Sequence, residues 1–267
     1  MKILSLACFC VDVFAESGKV LPGGNNLNLA VNCKIYGGAD AFVMGNIGKD
    51  DYGETLKQAM DKYKINRDKI YEIDGQTAYN IIHIDKNGDR HFEDGAWHGN
   101  VWDQFKISEN DKSFIKTFDA VATTVHEPDF ENILEASKGV CFAVDFHEDT
   151  IKSDFEKYFP FIELFFISGK SQDRGEFRQT LREWSKKYRT VFTATLGENG
   201  SISYKDGKEF ICPAVKVEKV IDTTGCGDSF QAGFLTEYLK SGNTEAAMRS
   251  GSVFASKTLS HIGGFEI

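Results

Sequence analysis

Short, almost continuously apolar runs alternate with amphipathic segments along most of this chain. The run "KILSLACF" precedes the helical pattern "NNLNLAVNCKIYG", and "AFVMGNIG" precedes "DYGETLKQAMDKY". Later apolar runs occur at "DAVATTV", "VCFAVDF", "LFFIS", "TVFTATL" and "SISYKDGKEFICP". Parallel sheets contain strands of this composition, because helices cover both of their faces. The alternation therefore predicts an α/β fold with a mostly parallel central sheet and helices on both faces.

One region departs from this alternation. Residues 77–92 read "TAYNIIHIDKNGDRHF", in which apolar and polar side chains alternate around Asn87-Gly88, a pair that suits a tight hairpin turn. Such a hairpin is either a flap over a binding site or an edge ribbon, and the periodicity does not separate the two. We predict one domain over residues 1–267, with a small β lid formed by about residues 12–22 and 75–100.

Composition argues against several classes of protein. The chain carries 31 Lys and Arg residues against 40 Asp and Glu, a net charge of −9 with no long basic run, so nucleic acid is not an expected partner. Its six cysteines lack metal-binding spacing, which indicates reduced thiols in a cytoplasmic protein. Asp12 interrupts the first apolar run, which we interpret as a strand rather than a signal peptide. No apolar stretch is long enough to predict a membrane span.

Two common nucleotide-binding motifs do not fit the sequence. The segment "FFISGKS" ends in Gly-Lys-Ser, but the P-loop requires a glycine at position 164, which is Leu164 here. The glycines of "GNIGKDDYG", at positions 45, 48 and 53, do not have the G-x-G-x-x-G spacing of a dinucleotide site. The sequence therefore predicts neither of these sites.

The stretch "IDTTGCGDSFQAGF", residues 221–234, places glycines and one carboxylate at the start of a predicted helix. The apolar spacing predicts that this helix begins near Gly227 or Asp228 and ends at Gly242. Gly225 and Gly227 allow backbone N–H groups to converge, and the helix N-terminus adds partial positive charge, so we predict an anion hole. A carboxylate beside it can accept the proton of a hydroxyl that attacks a bound phosphate. The alternative role of Asp228 is that of an ordinary helix cap.

This stretch resembles the C-terminal signature of the ribokinase-like (PfkB) carbohydrate kinases. The segments "PGGNNLNLAVNCKIYGG" and "GNIGKDDYG" resemble the N-terminal signature, and the motifs follow the family's order over essentially the whole chain. The resemblance implies a ribokinase-like fold and an ATP-dependent transfer of the γ-phosphoryl group to a primary hydroxyl of a sugar. It also implies Mg²⁺ as a cofactor and, as in many relatives, K⁺.

The resemblance assigns roles to individual residues. Asp228 would be the general base, and the N–H groups of Gly225, Cys226 and Gly227 would stabilise charge on the transferring phosphoryl group. The implied sugar-binding residues are Asp12, Gly23, Gly24, Asn28, Arg90 and Glu127. The implied nucleotide-binding residues are Ser168, Thr195, Gly197, Gly200, Gly225 and Gly227, and the backbone carbonyls of Asp222 and Thr224 would hold a monovalent cation. The alternatives are a strand-end turn for Asp12, a helix cap for Asn28, and solvated surface charges for Arg90, His126 and Glu127.

The sequence defines the type of reaction more closely than the identity of the sugar. The resemblance favours a fructosamine such as fructoselysine, phosphorylated on its 6-hydroxyl, whose amines could bind Glu93, Asp94 and Glu127. Fructose, ribose or a ketosugar acid are alternative substrates, and a non-catalytic sugar or nucleotide sensor is the alternative from another class. The segment "SGKS", residues 168–171, replaces the N-x-x-E element that the family usually places near magnesium. The expected partners are the sugar, ATP and a second copy bound through the lid, and not a membrane.

Overall fold

Fourteen strands and seven α-helices are present in the computed structural model, which describes residues 1–85, 90–92, 94–148, 153–169 and 173–267. The strands are β1 (Lys2–Leu6), β2 (Cys10–Phe14), β3 (Lys19–Gly23), β4 (Asp40–Gly48), β5 (Asn66–Ile73), β6 (Tyr79–Ile84), β7 (Arg90–His91), β8 (Trp97–His98), β9 (Ala120–Thr124), β10 (Cys141–Asp145), β11 (Leu164–Ser168), β12 (Val191–Thr195), β13 (Ser201–Lys205) and β14 (Lys208–Cys212). The helices are α1 (Asn25–Ile35), α2 (Asp51–Lys62), α3 (Glu109–Ile115), α4 (Phe130–Ala136), α5 (Gly175–Lys187), α6 (Cys226–Ser241) and α7 (Thr244–Thr258). Short 3₁₀ turns lie at Asn100–Gln104, Ser153–Lys157, Phe159–Phe161 and Gly197–Asn199.

The central sheet has the strand order β14-β13-β12-β11-β10-β9-β1-β4-β5. Neighbouring strands from β12 to β5 are parallel, and only the two pairs at the other end are antiparallel within the described residues. The prediction of a mostly parallel sheet is confirmed. Because the strands from β12 to β5 share one direction, their carboxyl ends lie along a single edge of the sheet.

Both faces of the sheet are covered by helices, as the alternation of apolar runs predicts. Successive residues of a strand point to opposite faces. In β1, Ile3 belongs to a buried cluster with Phe230 and Phe234 of α6, whereas Leu4 belongs to a cluster with Trp184 of α5. A third buried cluster joins α1 and α2, for example Leu27 with Leu56 and Met60.

The antiparallel end of the sheet differs from the sequence prediction. The segment "SISYKDGKEFICP", interpreted as one strand, forms the hairpin β13–β14. Its two turn residues, Asp206 and Gly207, have φ angles of 52° and 75°. An Asp-Gly pair with positive φ angles is typical of the tight turns that connect hairpins. The strand β5, at the opposite end of the sheet, was also not predicted, because charged residues interrupt its apolar pattern.

A second sheet lies beside the first, and its strands come from the segments that the sequence assigned to a lid. Its order is β3-β2-β6-β7, with β8 also paired to β6. Strands β6 and β7 are antiparallel, but the predicted turn at Asn87-Gly88 lies outside the described residues. Phe92 and Trp97 are exposed on or beside this sheet. Its movement as a lid and its contact with a second copy stay predictions.

Helix α6 brings the glycine-rich stretch to the carboxyl edge. It begins at Cys226, one residue earlier than predicted, and ends before Gly242, which has the left-handed φ of 63° that favours glycine. Gly225 precedes the helix with a φ of 75°. Asp228 therefore lies in the first helical turn with its side chain buried.

Candidate active site

The loop before α6 is held to the C-terminal segment by a buried carboxylate. Asp222 accepts hydrogen bonds from the N–H of Thr224 at 2.8 Å and from the N–H of Gly263 at 2.8 Å. Gly225 packs so closely that an added Cβ would lie 2.4 Å from the Cα of Gly264. Gly227, in contrast, is exposed, and an added Cβ would meet no atom within 4 Å. The loop is therefore packed against the C-terminal segment at Gly225 and exposed at Gly227.

The side chain of Asp228 is fixed by two asparagines from the start of α1. The Nδ2 of Asn25 donates to Oδ1 of Asp228 at 2.9 Å, and the Nδ2 of Asn28 donates to Oδ2 at 2.8 Å. These contacts join residues about 200 positions apart in the chain. Hydrogen bonds to an ionised carboxylate stabilise its charge, as does the N-terminus of the helix that carries it. The arrangement presents a buried, oriented carboxylate beside an open glycine loop.

The implied sugar-binding residues at the start of the chain lie at the junction of β2, β3 and α1. Asp12 lies on β2 with little exposure, and Gly23 packs against it, since an added Cβ would lie 2.2 Å from its Oδ2. Gly24 has a φ of 90°, and an added Cβ would lie 2.5 Å from the carbonyl oxygen of Cys8. Both glycines thus allow close packing where β3 leads into α1, the helix that carries Asn28.

Glu127 has a different environment from the one expected of a sugar ligand. It is 4 % exposed, and four protein groups donate to its carboxylate. The donors to Oε1 are the N–H of Cys8, Nδ2 of Asn26 and Oγ1 of Thr124, and Nε1 of Trp102 donates to Oε2 at 2.7 Å. Burial raises the pKa of Glu127 to about 8, against the opposite effect of these hydrogen bonds. The side chain connects the loop after β1, α1, β9 and the segment after β8.

The implied nucleotide-binding residues lie at the ends of β11 and β12. Ser168 and Thr195 are direct partners in the parallel pairing of these strands. The turn that follows Thr195 is closed by the N–H of Leu196, which donates to the carbonyl of Gly200 at 2.7 Å. Gly200 has a φ of 86°, and an added Cβ would lie 2.1 Å from the carbonyl oxygen of Cys212. Gly197 is exposed in this turn.

Other predicted residues are described only in part. The backbone of Arg90 lies in β7, but its side chain, together with Glu93, Lys170 and Ser171, lies outside what the structure describes. Asp94 is exposed. His126 is exposed after β9, and its ring stacks on that of His147 with centroids 5.4 Å apart.

Sequence reasoning missed two polar residues of this edge. Asn25 belongs to the motif "GGNN", but nothing in the linear sequence indicates its contact with Asp228. Asp145, a buried carboxylate at the end of β10, follows an apolar run directly, and that position was an available signal. Its Oδ1 accepts a hydrogen bond from the N–H of His147 at 2.9 Å.

The structure provides oxygen atoms suited to cations but no preformed cage. Within the described ranges, no three His, Cys, Asp or Glu side chains form a metal-binding group. Mg²⁺ in kinases needs only one or two carboxylates besides the substrate phosphates, so Asp145 is a candidate ligand. The buried hydroxyl of Thr224 has no hydrogen-bond partner in the described part of the chain, which fits a nearby monovalent cation. None of the helices described combines the length and apolar character needed to cross a membrane.

Comparison with known proteins agrees with this geometry. The model of the pfkB family carbohydrate kinases matches residues 10–146 and 161–266. The chain is 31% identical over 258 residues to fructoselysine 6-kinase of Shigella flexneri, covering 96% of each chain. It is 29% identical over 271 residues to the fructosamine kinase FrlD of Bacillus subtilis, covering 99% of this chain and 93% of that one.

A solved structure shows the same fold. The ribokinase of Arabidopsis thaliana, complexed with ribose and ATP, superposes with a TM-score of 0.83 at 19% identity, covering 98% of this chain and 93% of that chain. Such low identity supports the ribokinase-like fold alone. The family match covers most of the chain and includes both glycine-rich signatures. The chain therefore belongs to the pfkB family of carbohydrate kinases and is an ATP-dependent sugar kinase.

Proposed function

We propose that this kinase phosphorylates the 6-hydroxyl of a fructosamine such as fructoselysine. The observation that carries the chemistry is the Asp228 carboxylate, held through both oxygens beside the open Gly225–Gly227 loop. The choice of sugar is supported by the identity of 31% with fructoselysine 6-kinase over 96% of both chains.

In this proposal Asp228 is the general base. As the oxygen of the sugar hydroxyl bonds to the γ-phosphorus of ATP, its proton passes to Asp228, and the bond from phosphorus to the β,γ-bridging oxygen breaks. A buried carboxylate that is already oriented needs little reorganisation for this step. The N–H groups of Gly225, Cys226 and Gly227 would stabilise the charge that spreads over the phosphoryl oxygens. The missing side chain of Gly227 leaves room for that group.

The remaining implied residues divide between the two substrates. Asp12, Gly23, Gly24 and Asn28 would bind sugar hydroxyls, since they lie at the junction of β2, β3 and α1, where Asn28 contacts Asp228. Ser168, Thr195, Gly197 and Gly200 would line the nucleotide, since they lie together at the ends of β11 and β12. Glu127 is a poor candidate for an amine ligand, because four protein donors already occupy its oxygens.

Two cations belong to the proposal. Ser168, at the end of β11, and Asp145, at the end of β10, would hold Mg²⁺ in place of the usual N-x-x-E element. When bound, this ion would neutralise charge on the phosphates. The backbone carbonyls of Asp222 and Thr224 would hold K⁺. They lie beside the buried Thr224 hydroxyl, which has no hydrogen-bond partner among the described residues. The Asp222 carboxylate itself would only brace the loop, because both of its oxygens accept backbone N–H groups.

The second sheet would act as a lid over the sugar. Its strand β2 carries Asp12, and its strand β3 leads directly into Gly24 and α1. Closure would exclude water that competes for the phosphoryl group. We expect saturating sugar to slow amide hydrogen exchange in residues 79–84 and 97–98. Exchange that does not change would favour the edge-ribbon interpretation.

A kinetic comparison tests the substrate. The kcat/KM for fructoselysine and for fructose are measured at one ATP concentration, with ribose and a ketosugar acid in the same panel. Charge pairing with the amines in a partly dry site would give a preference for fructoselysine of roughly 5–150-fold. Equal values, or a preference for a free sugar, would contradict the proposal that a fructosamine is the substrate. The assignment as a sugar kinase would be unaffected. The site of phosphorylation is read from the product by NMR.

A further inference from the structure

The contact between Asn25 and Asp228 suggests a role that the sugar-binding assignments do not include. Asn25 is the first residue of α1 and Asn28 lies three positions later, so both side chains lie on the same face of the helix. One amide donates to each oxygen of the Asp228 carboxylate, at 2.9 Å and 2.8 Å. The carboxylate is thus held from two points on a single helix.

The position of this helix is itself closely determined. Gly24 precedes α1 with a φ of 90°, where any side chain would collide with the backbone of Cys8. On the other side, an added Cβ at Gly225 would approach Nδ2 of Asn28 at 3.3 Å. The amide of Asn25 therefore reaches Asp228 from a backbone with little freedom to shift.

We infer that Asn25 is a positioning residue for the phosphoryl transfer, which orients the Asp228 carboxylate and keeps it ionised; this role rests on the proposed function. The terminal torsion of an aspartate is broad, and a donor to each oxygen restricts its rotation. An ionised carboxylate has about four lone-pair sites, so an oxygen that accepts from an amide can also accept the proton of the sugar hydroxyl. Asn25 touches the base and is not required to touch the sugar.

Other acidic groups near Asp228 act against its ionised form, which the hydrogen bonds from the two asparagines stabilise. Asp12 and Cys10 lie on β2, and the pKa of the Cys10 thiol is raised by its hydrogen bond with Cys8, by burial and by the charges of Asp12 and Asp228, so both carboxylates lie near this thiol. A second carboxylate nearby disfavours the ionised form of the first. The amides of Asn25 and Asn28 and the N-terminus of α6 are the groups that oppose this effect.

Two substitutions test the inference, with Ile35→Ala, at the exposed far end of α1, as the matched control. Asn25→Ala removes the donor, and we expect kcat to fall on the order of tenfold to a hundredfold, since one hydrogen bond to a charged group contributes that factor. The acidic limb of the kcat/KM profile should move to higher pH by on the order of one unit, with the KM for sugar little changed. Asn25→Asp adds a carboxylate and should shift the limb further.

A double substitution separates positioning from direct contact with substrate. If Asn25 acts through Asp228, then Asn25→Ala in an Asp228→Asn background should cause no further loss of the residual turnover. A further loss there, or a raised sugar KM with unchanged kcat, would make Asn25 a substrate ligand and overturn the inference. If the wild type is active and Asn25→Ala has the same kcat and pH profile, the inference is overturned and the proposed function is not. Inactivity of the wild type on the whole sugar panel would overturn the proposed function as well.

Discussion

Asp228 and Glu127 are two buried carboxylates near the carboxyl edge of the same sheet, and their surroundings differ. Asp228 accepts hydrogen bonds from two amides and lies beside a glycine loop with open space in front of it. Glu127 accepts from four donors that belong to separate elements, and burial is the main influence on its pKa. Asp228 therefore lies beside space that a substrate could enter, whereas Glu127 joins separate elements of the fold.

The two carboxylates are also connected through α1. Asn25 and Asn28 contact Asp228, while Asn26, between them in sequence, donates to Glu127 at 3.3 Å and to the carbonyl of Leu6. The first turn of this helix therefore contacts both the proposed general base and the carboxylate of Glu127. Changes at the two carboxylates should consequently be separable: one in turnover, the other in stability.

The largest expected difference is in turnover. Asp228→Asn should reduce kcat by about 10²–10⁴-fold, the usual contribution of a general base, while ATP binding is largely retained. Glu127→Gln should keep most of the turnover, because its contacts are with protein groups. Steady-state kinetics with fructoselysine and calorimetric titration with ATP measure both effects. Near-full kcat in Asp228→Asn would contradict the assignment of the base, and equal losses in both variants would erase the distinction between the two carboxylates.

Sequence reasoning selected Asp228 and Glu127 on different kinds of evidence. Asp228 belongs to a local sequence pattern, because the glycines, the start of the helix and the carboxylate are only a few residues apart. The contacts of Glu127 come from Cys8, Asn26 and Trp102, which no spacing in the sequence brings together. Glu127 follows β9, and the four donors that contact it depend on tertiary packing.

The same limit applies to the fold. The parallel core was predictable, because buried strands such as β11 are apolar along their length. The edge strand β5 was missed, since an edge strand tolerates the charged residues of "NRDKIYEI". The turn at Asp206-Gly207 did carry a local signal, an Asp-Gly pair between two alternating segments, that was sufficient to predict two strands. Asn25, by contrast, contacts a residue 203 positions away and had no such signal.

The smaller expected effect concerns the pH dependence of stability. Burial raises the pKa of Glu127 to about 8 in the folded chain, whereas in the unfolded chain it returns to an ordinary value near 4.5. Between these values the folded chain retains a proton that the unfolded chain has lost, so the contribution of Glu127 to stability is complete below pH 4.5 and decreases as the pH rises towards 8. Glu127→Gln resembles the protonated form and has no such proton to lose. We therefore expect the free energy of unfolding in urea to fall between pH 5 and 8 by about 1–3 kcal/mol more in the wild type than in Glu127→Gln. Parallel pH profiles for the two proteins would mean that the four donors keep Glu127 ionised, and that its environment resembles that of Asp228 more than burial alone indicates.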